Sequence, residues 1–117
     1  MDNQNSLYKL DKLIEYVGND QSVVKEMISL FIETSTEAVE QMNLFLKEAD
    51  FQAISKVAHK LKPNLDIFGV DDLHDTIREL EQKSKLADKG ADLRAMMQTI
   101  QMHIEKVIEQ MKHDFSL

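Results

Sequence analysis

The chain has 117 residues, of which 43% are hydrophobic and 30% charged, a composition typical of a globular protein with one core rather than of a disordered chain. The sequence contains no cysteine, which excludes disulfides and thiolate metal sites, and its formal net charge of -7 argues against nucleic acid as a partner. No segment has the length and hydrophobicity of a signal peptide or a membrane span, so a cytoplasmic location is the simplest expectation.

Two amphipathic helices are predicted in the first half of the chain. The first covers residues 6–17 and ends at Gly18, which can adopt the left-handed conformation found at helix ends. The second begins after Asn19 or Asp20, either of which can act as the N-cap. Its apolar residues recur in alternating steps of four and three, which predicts a long helix with one buried face: Val24, Ile28, Phe31, Ser35, Ala38, Met42 and Phe45.

The third predicted helix is capped by Asp50 and contains the single proline of the chain, Pro63. Proline removes an amide donor from the interior of a helix, so a bend is expected at this position. Because the apolar pattern continues on both sides of Pro63, the helix is predicted to bend there and not to stop. Its apolar stripe consists of Phe51, Ile54, Ala58, Leu61, Leu65 and Phe68.

Two further helices complete the prediction. The fourth begins at Asp71 or Asp72 and carries an apolar stripe of Leu73, Ile77, Leu80 and Ala87. The fifth follows a break at Gly90 and buries Leu93, Met97, Ile100, Ile104, Val107 and Met111. The predicted fold is therefore all-α, with a single domain over residues 1–117 that forms an antiparallel four-helix bundle with a short extra N-terminal helix.

His59 is the residue that helix periodicity singles out as a candidate for chemistry. It points about 130° away from the centre of the apolar stripe of the third helix, so its imidazole is predicted to face solvent. Lys62 lies one turn further on, near enough to share a ligand with His59. A partner-docking surface around the histidine is predicted from the side chains that project within the same arc: Gln52, Ser55, Lys56, Pro63 and Asp66.

A local pattern of five residues lies in the sequence that follows the long second helix: Ala58, His59, Leu61, Lys62 and Gly69. This pattern, followed by the pair Leu80 and Glu81, resembles the histidine-containing phosphotransfer (HPt) domain, and the resemblance covers nearly the whole chain. It implies that His59 accepts a phosphoryl group and that Lys62 helps to hold it. The sequence departs from the family at Pro63, where the family usually has glycine, and this change affects how a partner fits beside the histidine.

The resemblance implies a phosphorelay intermediate in two-component signal transduction. Its partners would be receiver domains of response regulators or hybrid histidine kinases, and the receiver would hold any magnesium that the reaction requires. A neutral imidazole has a lone pair that can attack a phosphoryl group carried by an aspartate. The sequence lacks a Gly-rich phosphate loop and the residues that hold nucleotide and magnesium. We therefore expect a monomeric phosphocarrier without cofactor, metal or ATP-dependent kinase activity of its own.

Two other classes of protein are compatible with the residues. A non-catalytic helical adaptor, or a degenerate phosphotransfer domain, would bind a partner without being phosphorylated. A metal-binding bundle enzyme is less favoured, because no Glu-x-x-His pair occurs in the sequence. The remaining histidines, His74, His103 and His113, are interpreted as solvated or partly packed, and the mixed charges of residues 79–85 as a solvated helix face.

Overall fold

The computed structural model describes residues 6–87 and 92–117. Within these ranges it contains α1 (Asp11–Val17), α2 (Gln21–Lys47), α3 (Phe51–Ile67), a 3-10 turn (Asp71–Leu73), α4 (His74–Lys85) and α5 (Leu93–Phe115). No strand occurs in the described ranges, and none of the helices found there has the length and apolarity needed to cross a bilayer. The all-α class is confirmed, whereas the predicted break at Gly90 lies outside the described residues.

The four long helices pack in a ring, in which α2 and α4 each contact both α3 and α5. Helices α3 and α4 are antiparallel, as is shown by the hydrogen bond from Gln52 near the start of α3 to Lys85 at the end of α4. At the opposite end of the pair, Asp66 bonds to Arg78. Helix α2 has 27 residues and is about 40 Å long, which accounts for the longest dimension of the molecule, 45 Å. The predicted helical bundle is confirmed.

The core lies along the axis of this ring. Each long helix contributes an isoleucine that is at most 1% exposed: Ile28, Ile54, Ile77 and Ile104. Burial of a side chain of this size contributes about 1.5–3 kcal/mol. The predicted stripe of α5 is buried at every position, and that of α2 is buried up to Met42, with Phe45 partly buried beyond it. The spacing of apolar residues therefore determines which face of each helix points inward.

Aspartates cap three of the long helices. The carboxylates of Asp20, Asp50 and Asp92 each accept a hydrogen bond from a backbone N–H two or three residues later, at 2.9 to 3.2 Å. Each cap stabilises its helix by satisfying an amide that has no partner within the helix. Helix α3 runs from its cap through Pro63 to Ile67, so the prediction that the helix does not stop at the proline is confirmed.

The N-terminal helix is shorter than predicted, because residues 6–10 are not helical. They form a strap across the end of the bundle. The N–H of Leu7 donates to Oε1 of Gln110 at 2.8 Å, and the hydroxyl of Tyr8 donates to Oδ2 of Asp114 at 2.6 Å. Polar groups of α5 thus hold this segment against the end of the bundle. The apolar spacing of these residues reflects packing on the bundle and not a helical face.

The end of α4 also differs from the prediction. The helix ends at Lys85, and Ala87 lies beyond it, exposed and with a positive φ of 51°. The assignment of Ala87 to the apolar stripe is therefore wrong. Ser84 occupies the last buried position instead, and its hydroxyl donates to the carbonyl of Leu80 at 2.6 Å, so this side chain is buried without an unpaired donor.

Gly69 is where the strap and α3 come closest. The N–H of Lys9 donates to the carbonyl of Phe68 at 3.0 Å, which pins the strap beside the residue that follows α3. Gly69 has a φ of +64°, and a methyl group at this position would lie 2.6 Å from Cβ of Lys9. The position therefore requires glycine for two separate reasons, its backbone conformation and the lack of space.

We predict that Gly69→Ala lowers the free energy of unfolding more than Gly18→Ala. Both glycines have a positive φ, 64° and 83°, a backbone conformation that costs alanine about 1–3 kcal/mol at either position. Nothing lies within 4 Å of a methyl group at Gly18, whereas at Gly69 the collision with Lys9 adds about 1–3 kcal/mol. Urea denaturation of the two variants measures the difference. Equal losses would contradict the close packing of the strap on Gly69.

Candidate functional site

His59 lies in the middle of α3, and its side chain is 69% exposed, which confirms the orientation predicted from the helix period. Its two ring nitrogens differ in environment. Nδ1 lies 2.7 Å from Oε2 of Glu81 in α4. No residue in the described ranges forms a hydrogen bond with Nε2. One nitrogen thus orients the ring, and the other can be approached from solvent.

Glu81 joins His59 to Lys62. While Oε2 of Glu81 contacts the imidazole, Oε1 lies 2.6 Å from Nζ of Lys62. The side chains of Glu81 and Lys62 are 20% and 24% exposed, so both are much less accessible than His59. We call these three residues the His59 triad. A carboxylate that receives two hydrogen bonds in a partly buried position holds both donors in defined places.

The two donors also change the acidity of Glu81. The pKa of Glu81 is lowered, and the main cause is the hydrogen bond from Lys62. Partial burial opposes this shift, whereas the hydrogen bond from His59 lowers the pKa further. Because the pKa of Glu81 is lower in the folded state, these contacts stabilise the fold at pH values above the ordinary pKa of glutamate. This contribution is lost as the pH falls through the lowered value. Glu81 is therefore a carboxylate throughout the neutral range.

The charge of Glu81 determines where the imidazole carries its proton. A carboxylate has no proton to donate, so Nδ1 of His59 must be the donor in the 2.7 Å hydrogen bond. In the neutral ring, a proton on Nδ1 leaves Nε2 with a lone pair. The exposed nitrogen of His59 is thus the nucleophilic one. The position of the proton on Nδ1 follows from the chemical nature of the partner on α4.

Two contacts between α3 and α4 hold Glu81 opposite His59. The hydroxyl of Ser55, one turn before His59, donates to the carbonyl of Glu81 at 3.0 Å. Two turns after His59, Asp66 accepts a hydrogen bond from Arg78 at 3.0 Å. Because these contacts lie on either side of the triad, they fix the position of α4 along α3. The carboxylate of Glu81 is thereby placed level with the imidazole.

The sequence profile of the Hpt domain matches residues 26–113, about three quarters of the chain. The chain belongs to the Hpt domain family. Members of this family are phosphocarriers rather than kinases, and a phosphotransfer role in two-component signalling follows from the membership.

Two curated relatives are both virulence sensor protein BvgS, from two Bordetella species. The chain is 22% identical to the protein of Bordetella pertussis over 78 residues, which are 67% of this chain and 6% of that protein. It is 21% identical to the protein of Bordetella bronchiseptica over 94 residues, 80% of this chain and 8% of that protein. The chain thus spans less than a tenth of the length of either relative. No solved structure matches it.

The surface around His59 of this Hpt domain contains four of the five side chains that the sequence assigns to it. Gln52, Lys56 and Pro63 are exposed, and Asp66 is partly exposed beside its partner on α4. Ser55 corrects the prediction, because it is only 7% exposed. Its hydroxyl faces α4, which covers that side of α3, and Ser55 therefore does not present its side chain to a partner.

Glu81 is the site residue whose contacts the sequence analysis missed. The interpretation of residues 79–85 as a solvated face holds for Glu79 and Lys83, which pair with each other at 3.3 Å. It is wrong for Glu81. The sequence does contain a signal, because Glu81 directly follows the fully buried Leu80 and so lies at the edge of the apolar stripe of α4. A charged residue at such an edge is partly buried and needs a partner.

The other described histidines lack a triad of this kind. His74 is exposed, with Nδ1 3.0 Å from Asp75, its neighbour in sequence. His103 is 18% exposed, and its Nε2 lies 3.6 Å from Asp72. His113 is exposed near the end of α5. Across residues 6–87 and 92–117, no group of three or more histidines and carboxylates is arranged to hold a metal ion.

We predict that Glu81→Ala changes the tautomer of the neutral His59 ring, because nothing then favours the proton on Nδ1 over the proton on Nε2. A hydrogen bond to a charged group is worth about 1.5 kcal/mol at the low end of its range, enough to favour one tautomer by about tenfold. Nitrogen-15 NMR of the imidazole, recorded above the pH at which the ring is protonated, measures the tautomer ratio. Glu79→Ala is the matched control, since Glu79 is exposed on the same helix. An unchanged ratio in Glu81→Ala would contradict this role of Glu81.

Proposed function

We propose that the chain is a phosphorelay intermediate that accepts a phosphoryl group on Nε2 of His59. The group comes from the aspartate of one receiver domain and passes to the aspartate of another. The observation that carries this proposal is the hydrogen bond between Nδ1 of His59 and Glu81, at 2.7 Å, which leaves Nε2 as the exposed nucleophile. Membership of the Hpt domain family supports the same assignment.

The reaction needs little from the chain besides an oriented nucleophile. The lone pair of Nε2 attacks phosphorus, the bond from phosphorus to the aspartate oxygen breaks, and the aspartate leaves as a carboxylate. The ring gains a positive charge in this step while its proton stays on Nδ1, and the carboxylate of Glu81 stabilises that charge at 2.7 Å. Return of the phosphoryl group to an aspartate reverses the same steps.

Lys62 helps to hold the phosphoryl group in this proposal, both directly and through Glu81. Lys62 lies one turn from His59 along α3, and its ammonium group is bonded to Glu81 at 2.6 Å. A positive charge near the imidazole favours the approach of a phosphoryl group, and phosphoryl transfer depends mainly on such electrostatic stabilisation. The ion pair between Lys62 and Glu81 also keeps the carboxylate in place beside the imidazole.

The partners are receiver domains, of response regulators or of hybrid histidine kinases. The docking surface consists of the residues that remain exposed around His59: Gln52, Lys56, Pro63 and Asp66. A receiver must bring its own aspartate and hold any magnesium that the reaction requires, and the chain acts as a monomeric carrier without kinase activity. Positive charge beside His59 attracts an acidic receiver site, although the chain as a whole has a net charge of -7.

The decisive test compares His59→Gln with His74→Gln. Each variant is incubated with a receiver domain that carries phosphate on its aspartate. We expect the parent and His74→Gln to acquire an acid-labile phosphate and His59→Gln to acquire none. His74 is a matched control, because it is also exposed and also has its Nδ1 beside a carboxylate, at 3.0 Å.

Two outcomes would contradict the proposal. Labelling of His59→Gln to the same extent as the parent would show that another residue accepts the phosphoryl group. A parent that binds the phosphorylated receiver without becoming labelled would instead be a non-catalytic adaptor. Mass spectrometry of the intact proteins after incubation distinguishes the two outcomes.

We predict that Lys62→Ala slows phosphoryl transfer by about tenfold, which corresponds to a loss of about 1.4 kcal/mol of transition-state stabilisation. The fold is retained, because the lysine stem is only partly packed. Lys83→Ala is the matched control, since Lys83 pairs with Glu79 at 3.3 Å away from the triad. Rapid-quench measurements of transfer in both directions test the effect. Rates equal to those of Lys83→Ala would leave Lys62 as a structural partner of Glu81 alone.

A further inference from the structure

The charges of the His59 triad balance before the phosphoryl group arrives. The carboxylate of Glu81 is offset by the ammonium of Lys62, which lies 2.6 Å away. The ring that attacks phosphorus is the neutral form of the imidazole, since only that form has a free lone pair. A phosphoryl group adds about two negative charges at neutral pH, whereas the ring gains only one positive charge. The phosphorylated triad is therefore left with about one uncompensated negative charge, on the phosphoryl oxygens.

Lys62 is poorly placed to supply the missing charge. Its side chain is only 24% exposed, and its ammonium group is already bonded to Glu81. Moving that group fully to the phosphoryl oxygens would leave a partly buried carboxylate without its main partner, which is costly. Lys62 can stabilise the phosphoryl group from its present place, but it cannot serve both anions fully.

Lys56 lies on the other side of His59. Successive helical residues turn by about 100°, so Lys56 and Lys62 are placed about 60° to either side of the histidine, each one turn away. Lys62 is on the side where α4 packs, whereas Lys56 is on the side of α2 and borders a groove of about 450 Å³ between α2 and α3. Lys56 is exposed, and no described residue forms an ion pair with it.

We propose that Lys56 binds the phosphoryl group on His59 and adds to the stabilisation that Lys62 provides from its place beside Glu81. This inference rests on the proposed function. When phosphorus bonds to Nε2 and its bond to the aspartate oxygen breaks, the ammonium of Lys56 donates hydrogen bonds to the phosphoryl oxygens and supplies the missing positive charge. No proton leaves the ring, and Lys56 remains protonated throughout.

Lys60 provides a matched control for Lys56. Both lysines are exposed, border the same groove and form no ion pair with a described residue. Lys60 is adjacent to His59 in sequence but points about 100° away from it around the helix. Lys56→Gln and Lys60→Gln therefore change the net charge equally and differ in where the charge is removed.

The experiment uses the phosphorylated chain after separation from the receiver. Phosphorus-31 NMR follows the titration of the phosphoryl group on His59 with pH in the parent and both variants. We expect Lys56→Gln to shift this titration to higher pH by several tenths of a unit, because loss of a nearby ammonium disfavours the dianion. The equilibrium share of phosphate on His59, measured against the receiver, is expected to fall about three- to tenfold. Lys60→Gln is expected to leave both quantities close to those of the parent.

Each other result overturns the inference. Equal titrations in the parent and Lys56→Gln, with slower transfer only, would make Lys56 a docking residue. Equal shifts in Lys56→Gln and Lys60→Gln would indicate a general effect of surface charge. A parent that acquires no phosphate on His59 would overturn the proposed function together with this inference, whereas a labelled parent with an unaffected Lys56→Gln would overturn the inference alone.

Discussion

The arrangement of the site depends on one carboxylate that accepts hydrogen bonds from two sides. Glu81 receives Nδ1 of His59 on one oxygen and Nζ of Lys62 on the other, at 2.7 and 2.6 Å. The orientation of the ring, the tautomer of its neutral form and the position of the lysine all follow from this single group. Without Glu81, His59 would be an exposed imidazole with no carboxylate to keep the proton on Nδ1 and the lone pair on Nε2.

That carboxylate is placed by the packing of two helices and not by local sequence. His59 and Glu81 are 22 residues apart and meet because α3 and α4 are antiparallel. The N-cap at Asp50 defines where α3 begins, and the isoleucines of the core determine which side of each helix faces inward. Ser55 and the pair of Asp66 and Arg78 then fix the alignment along the two helices. The ordinary requirements of a helical core thus bring the functional side chains together.

Features that depend on neighbours along the chain could be predicted from the sequence. The exposure of His59 is one of these, because the stripe of α3 defines an outside as well as an inside. The contact of Glu81 with His59 could not be predicted, because it requires the alignment of α4 against α3, and one sequence does not contain that alignment. The predicted exposure of Ser55 was wrong for a related reason. Ser55 lies at the edge of the stripe, and only the position of α4 buries it.

Pro63 has a further chemical effect on the surface beside the imidazole. Its nitrogen carries no hydrogen, so the carbonyl oxygen of His59 does not receive the amide that a helix ordinarily supplies four residues later. A backbone acceptor of this kind is normally satisfied by some donor. A protein that covers the ring and excludes solvent from this oxygen therefore has to supply an N–H or O–H donor in place of the missing amide.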